Sequence, residues 1–308
     1  SYINACGNQS VVVSLQGLKS GITPYYCAGI TRKEILRNLT FRDFIKGSIF
    51  SEQKEFKKSG ESIEKSMLRK VQHIIGRTSW DKSHAWAINP NAKYHFCNET
   101  LRPEFYDGSK WDYNKCEKHT IFLSQAGYPL KGLHQVLRAM PLILQHYPDT
   151  KIKVAGTDIT RYSTWRDKLQ ISGYGLFIRR LIHKMHLENH IEFLGPLNAE
   201  QMKLAYLNCN LFVCPSSIEN SPNSLGEAQL LGVPHIASYV GGIPEMMVGN
   251  EENLYRFEEI NMLAEKVCQI FANKDSQIDM SSFALQRHAP LNNTNNLIKI
   301  YHQIYEHK

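Results

Sequence analysis

The chain has 308 residues, 42% of them hydrophobic and 21% charged, and a formal net charge of +7. This composition fits a globular enzyme of two ordinary domains and excludes a low-complexity chain. No run of about 18 apolar residues is present to make a transmembrane helix, and seven scattered cysteines without a CxxC pair argue for reduced cytoplasmic thiols rather than a zinc site or a disulfide framework.

The opening residues, Ser1-Tyr2-Ile3-Asn4-Ala5-Cys6-Gly7, lack the charged and apolar regions of a signal peptide. Over residues 1–112 three strands are expected, Val11–Leu15, Ile74–Thr78 and Lys93–Cys97, with helical segments between them. Arg77, Trp80 and Asp81 follow the second strand, and His95 and Asn98 end the third; they read as loop or core residues before ligand groups. Much of the positive excess lies between Arg32 and Lys70, interspersed with Phe41, Phe44, Phe50 and Phe56. Two readings stand for this segment: a membrane-facing surface, or a solvated helical region with its aromatics in the core. The second is the expectation. Basic charge suits phosphorylated ligands and anionic lipids alike. No nucleic-acid motif accompanies it, so no nucleic-acid partner is expected.

Residues 113–290 alternate between strand and helix, after a polar linker over Trp111–Lys118. Thr120–Leu123 is a short apolar strand, and residues 132–146 place Leu133, Val136, Leu137, Met140 and Leu144 at helical spacing. Lys151–Ala155 is a strand, followed by a long basic helix or helix pair through about Met185. Strands at His190–Leu194, 210–214 and 234–238 then alternate with helices at 198–207, 222–232 and 259–272. This order predicts a doubly wound parallel sheet with ligands at the carboxyl ends of its strands. The last helix, residues 291–308, carries Leu297, Ile300, Tyr301 and Ile304 on one face.

The most informative stretch is Ser217-Ile218-Glu219-Asn220-Ser221-Pro222-Asn223-Ser224-Leu225-Gly226-Glu227-Ala228. Two glutamates sit eight apart across a helix start, with Ser221 expected at the N-cap and Pro222 at the first helical position. The free amides that open such a helix make a seat for an anion. A buried strand precedes the motif, Gly232-Val233-Pro234 stops its helix, and Gly241-Gly242-Ile243-Pro244-Glu245 follows the next strand. This ordered string resembles the Glu-x7-Glu motif and its flanks in retaining glycosyltransferases of family 4.

The resemblance implies an α/β protein of GT-B fold, with two Rossmann-like domains, and transfer of a sugar from a nucleotide diphosphate sugar. Glu219 would contact donor-sugar hydroxyls and Glu227 the ribose. Amides near Asn223, Ser224 and Leu225 would hold the phosphates, and Lys131, in Lys131-Gly132, would stabilise the leaving diphosphate. Gly241 and Gly242 would allow close backbone approach, as a donor-binding or a purely structural turn. No metal or cofactor is implied. The donor would be of UDP or GDP type, and the acceptor a saccharide or lipid-linked saccharide of cell-surface polysaccharide or lipopolysaccharide biosynthesis, with a possible peripheral membrane contact. The terminal helix would pack back on the N-terminal domain.

Two departures stand out. The family's Gly-Arg pair before the lysine is replaced by Ser124-Gln125-Ala126-Gly127, so Gln125 and backbone amides, or Arg32, Arg77 or Arg161, would have to serve. Gln16 stands where relatives carry histidine, and an amide cannot take a proton; Gln16 and Arg77 are the acceptor-side candidates. These gaps leave a non-catalytic nucleotide-sugar-binding protein, or an inactive fragment of such an enzyme, as the rival readings. A dehydrogenase is disfavoured, since no G-x-G-x-x-G follows a strand. The apolar strand and glycine-rich loop that open such an N-terminal domain are missing, so a truncated N-terminal half with part of the acceptor site lost is expected.

Overall fold

A computed structural model describes residues 11–273 and 280–306. It contains two parallel sheets. The first joins β1 (Val12–Ser14), β2 (His73–Gly76) and β3 (Lys93–Phe96) in the order β1-β2-β3. Helices α1 (Arg32–Arg37), α2 (Phe41–Lys46) and α3 (Ile49–Ser59) lie in the β1–β2 crossover, and α4 (Ser79–Ile88) in the next. The expected strands are trimmed at their ends for a local reason. Arg77 and Thr78 leave β2 to build the α4 capping box, in which Thr78 and Asp81 satisfy each other's backbone.

The second sheet contains β4 (Thr120–Leu123), β5 (Lys151–Val154), β6 (Ile191–Phe193), β7 (Leu211–Cys214), β8 (His235–Ser238) and β9 (Leu254–Tyr255). Their spatial order is β6-β5-β4-β7-β8-β9, all parallel. Helices α5 (Leu133–His146), α6 (Trp165–Gln170), α7 (Gly173–Lys184), α8 (Ala199–Asn208), α9 (Asn223–Leu231) and α10 (Ile260–Ala272) cover its faces. Being buried on both faces, β4, β7 and β8 read as short apolar-rich runs rather than as alternating ones. The strand order reverses between β4 and β7, and a crevice opens at the carboxyl ends there. That switch point brings the loops after β4 and after β7 together.

The long basic helix divides. Ile171 is extended (φ −63°, ψ 133°), and Ser172 caps the Gly175 amide to start α7. Pro222, not Ser221, stands at the N-cap of α9, with no side-chain cap. Proline's φ of −70° suits either position, and its ψ of 118° delays the helix by one residue. The Ser221 hydroxyl turns instead to the Met246 sulfur at 3.6 Å.

The last helix, α11 (Pro290–Glu306), buries Ile300 and Ile304 against Ile75 of β2 and Cys97, the residue after β3. Tyr301 of the expected stripe stays exposed. The aromatics of residues 32–70 divide between two fates. Phe50 and Phe56 pack against the core, whereas Phe41 and Phe44 point into solvent, against the expectation of a buried set. No helix among the described residues is long and apolar enough to cross a membrane.

Candidate active site

Gly132 decides how the two crevice loops meet. Its φ of +71° belongs to the left-handed region, and a Cβ there would lie 1.7 Å from the Pro215 carbonyl oxygen. Only glycine allows the loop after β4 to lie flat on the loop after β7. Lys131, the residue before it, therefore reaches Glu219 across 88 residues of sequence, with Nζ 2.5 Å from Oε1. Ser216 donates to the same oxygen at 2.8 Å. Burial alone would lower the Lys131 ammonium, but the neighbouring Glu219 carboxylate overrides it and raises the pKa above the ordinary lysine value. Lys131 is thus a fixed cation with spare donors, since an ammonium carries three.

Glu227 lies one turn inside α9 and is nearly fully buried. Its two oxygens accept from Arg102 Nε and Nη2 at 2.7 and 2.8 Å, a two-pronged pair. Burial raises the Glu227 pKa, and Arg102 opposes the rise. The Glu227 hydrogen bond in turn raises Arg102, against its own desolvation. The pair uses one lone pair on each carboxylate oxygen, which leaves acceptor capacity for a ligand's hydroxyls.

One cleft of about 440 Å³ between the two sheets gathers these groups. Gln16, Arg77, Glu99 and Arg102 line it from the N-terminal side; Gln125, Lys131, Glu219, Asn223, Ser224 and Glu227 line it from the other. Leu225 does not line it: its side chain is in the core and its amide donates to the Pro222 carbonyl at 3.1 Å. The opening amides of α9 are those of Asn223 and Ser224. Gly241 and Gly242 also stand outside the lining. A Cβ at Gly241 (φ +52°) would meet the Glu219 carbonyl oxygen at 1.9 Å, and one at Gly242 would meet that of Asn220 at 2.1 Å. Both glycines pack beneath the Glu219 loop and fix its height.

Of the three arginines considered as replacements for the missing phosphate cation, Arg77 alone lines the cleft, paired with Glu99 at 2.6 Å. Arg161 is at the surface with Asp167, and Arg32 is exposed on α1. Arg102 escaped sequence reasoning altogether. It lies in an irregular connector after β3 with no motif around it, and 125 residues separate it from Glu227. Asp81 is a buried cap rather than a cleft residue, and His95 is bonded to His73 at 3.0 Å.

A sequence model of the family described as glycosyl transferases group 1 matches residues 109–287. The chain belongs to this family. An uncharacterized glycosyltransferase of Methanocaldococcus jannaschii is 32% identical over 131 residues, which is 42% of this chain and 30% of that protein. The matches span less than half the length of the curated relatives. Sucrose-phosphate synthase from Thermosynechococcus elongatus superposes with a TM-score of 0.71 at 17% identity, over 100% of this chain and 71% of that one. HepE of Anabaena, solved with UDP and glucose, gives a TM-score of 0.61 at 16% identity, over 95% and 71%. These likenesses establish the fold as GT-B.

The Glu219 loop and the Gly-Gly turn of the second domain both grip the start of α4 in the first. Asn220, next to Glu219, accepts from the Thr78 hydroxyl at 2.5 Å and donates to Asp81 at 2.8 Å. Tyr94 donates to Asp81 as well. Glu245, from the Gly-Gly turn, accepts the Ser79 amide at 2.7 Å. The Glu219 loop is therefore tied to the opposite domain through buried hydrogen bonds. Asn220→Ala removes the acceptor of the Thr78 hydroxyl and one of the donors to Asp81, which keeps the Arg77 amide and Tyr94; a buried bond to a charged group is worth about 1.5–3 kcal/mol. Urea unfolding is expected to show a loss of that order, with nucleotide affinity near that of the parent. An unchanged unfolding midpoint would show that the tie bears no strain.

Proposed function

We propose that the chain moves a sugar from a nucleotide diphosphate sugar to an acceptor hydroxyl, with retention of anomeric configuration. The observation that carries this reading is the single cleft in which a fixed cation, two glutamates and a helix N-terminus face one another. In this reading the diphosphate lies at the Asn223 and Ser224 amides beside Lys131. The ribose hydroxyls meet the free lone pairs of Glu227, and the sugar hydroxyls meet Glu219. The bond from the anomeric carbon to the β-phosphate oxygen breaks, and the acceptor oxygen bonds to the same face. The acceptor's proton passes to the departing phosphate, so Gln16 need not act as a base.

Lys131, with Arg102 and Arg77 across the cleft, offers positive charge for the leaving group, and the reading requires no metal. A uridine nucleotide is the first donor to test, because the fold neighbour HepE was solved with UDP and glucose. The proposed acceptor is a saccharide or lipid-linked saccharide of a cell-surface polymer, met in the cytoplasm or at the inner face of the membrane.

Thermal shifts with UDP, GDP, ADP and CMP test the donor. At about 100-fold excess over Kd the correct nucleotide adds roughly 2.7 kcal/mol of stability. Donor turnover without acceptor then separates an enzyme from a pure binder, which releases no free nucleotide. Failure of every nucleoside diphosphate to stabilise the protein would end this reading, and a product of inverted configuration would end its stereochemical part.

A further inference from the structure

Helix α2 turns its apolar face outward. Asp43 is buried: its carboxylate accepts the α2 N-cap amide of Thr40 and the Gly173 amide at 3.0 Å. Phe41, Phe44 and Ile45 stand at positions i, i+3 and i+4 on the opposite face. They are 60%, 94% and 66% exposed, and Phe44 is the most exposed large hydrophobic side chain among the described residues. Helix α6 packs beside α2 and buries none of its own residues. Its Trp165 and Leu169, one turn apart, are also exposed. One helix comes from each half of the molecule, and both show apolar groups to solvent.

Basic groups flank these side chains. Lys46, Arg166 and Lys168 are exposed, and Arg42 is half-buried. The acidic residues of the same helices are already engaged, Asp43 with the Gly173 amide and Asp167 with its cap and Arg161. Large apolar side chains exposed together on two packed helices mark a contact site. The charge selects what covers it: a second copy would bring like charge, whereas an anionic lipid surface brings the complement. Aromatic and aliphatic side chains edged by Lys and Arg suit the depth of lipid headgroups.

We propose that α2 and α6 form a docking face for an anionic lipid surface, with Phe41, Phe44, Ile45 and Trp165 entering the headgroup layer and Lys46, Arg166 and Lys168 meeting lipid phosphates. This inference is independent of the nucleotide-sugar reading, because vesicle binding needs no donor. The test is flotation of the 308-residue chain with vesicles of phosphatidylcholine alone and with vesicles containing phosphatidylglycerol. Binding is expected with the anionic vesicles only, falling as salt screens the charges. The triple variant Phe41→Ser, Phe44→Ser, Ile45→Ser should bind at least tenfold more weakly, and Arg166→Glu with Lys168→Glu should do the same. An unchanged thermal unfolding midpoint shows that each variant is folded. Equal flotation of parent and triple variant overturns the proposal, as does absence of binding to anionic vesicles. Light scattering that shows a dimer for the parent and a monomer for the triple variant, without vesicle binding, assigns the face to a second copy and also overturns it.

Discussion

Lys131→Ala is expected to lower sugar transfer by about 10²–10³-fold, the usual cost of removing one preorganised charge-stabilising donor. The loss should exceed that of a simple deletion in one respect. Lys131 neutralises Glu219 at 2.5 Å, so its removal leaves a carboxylate facing the place proposed for the diphosphate. Repulsion then adds to the missing attraction. Affinity for a nucleoside diphosphate should fall with the rate, while affinity for the nucleoside alone should hardly move. Titration of parent and variant with both ligands checks this. Equal diphosphate affinity in the two proteins would remove Lys131 from the phosphate site. Lys131→Arg is the sharper control. It keeps the charge but replaces a compact ammonium with a planar fork, so it should restore binding more than rate.

The second large effect belongs to the two glutamates, which should separate by role. Glu227→Ala removes acceptors that the bare nucleotide and the nucleotide sugar would share, and it frees Arg102. Hydrogen bonds to a charged partner contribute about 1.5–3 kcal/mol, or about 10- to 150-fold in affinity. Glu219→Ala should leave nucleotide affinity nearly intact and lower transfer, because its proposed partner is the sugar. Calorimetry with the nucleoside diphosphate decides: a larger loss for Glu219→Ala than for Glu227→Ala would reverse the assignment. Arg102 gives a further handle. It opposes the burial that raises the Glu227 pKa, so Arg102→Ala should raise that pKa further. Nucleotide binding by this variant should then weaken as pH falls toward the acid range, as Glu227 takes up a proton and loses its acceptor charge.

The sequence by itself determined the elements and the motif. Five of the six strands of the second sheet were legible as short runs alternating with helices, an order that already implies a parallel sheet with its ligands at one edge; β9, only two residues long, was not. Glu219 and Glu227 are eight residues apart around a proline-led helix start, a local pattern that needs no tertiary information. Capping boxes such as Thr78 with Asp81 are equally local, although their effect on the end of β2 became visible only once the helix was built. Tertiary structure decided the partnerships. Lys131 meets Glu219 because the sheet reverses order between β4 and β7 and because Gly132 lets two loops touch. Arg102 meets Glu227 across 125 residues, and Thr78 meets Asn220 across 142. No periodicity encodes such distances. The direction of α2 was decided in the same way. Phe41 and Phe44 were expected in the core, but Asp43 on the other face of α2 is held by a backbone amide of the other half of the molecule, and Phe41, Phe44 and Ile45 stand in solvent. Local sequence fixes which residues share a helix face; only the contacts made by the opposite face determine which way it points.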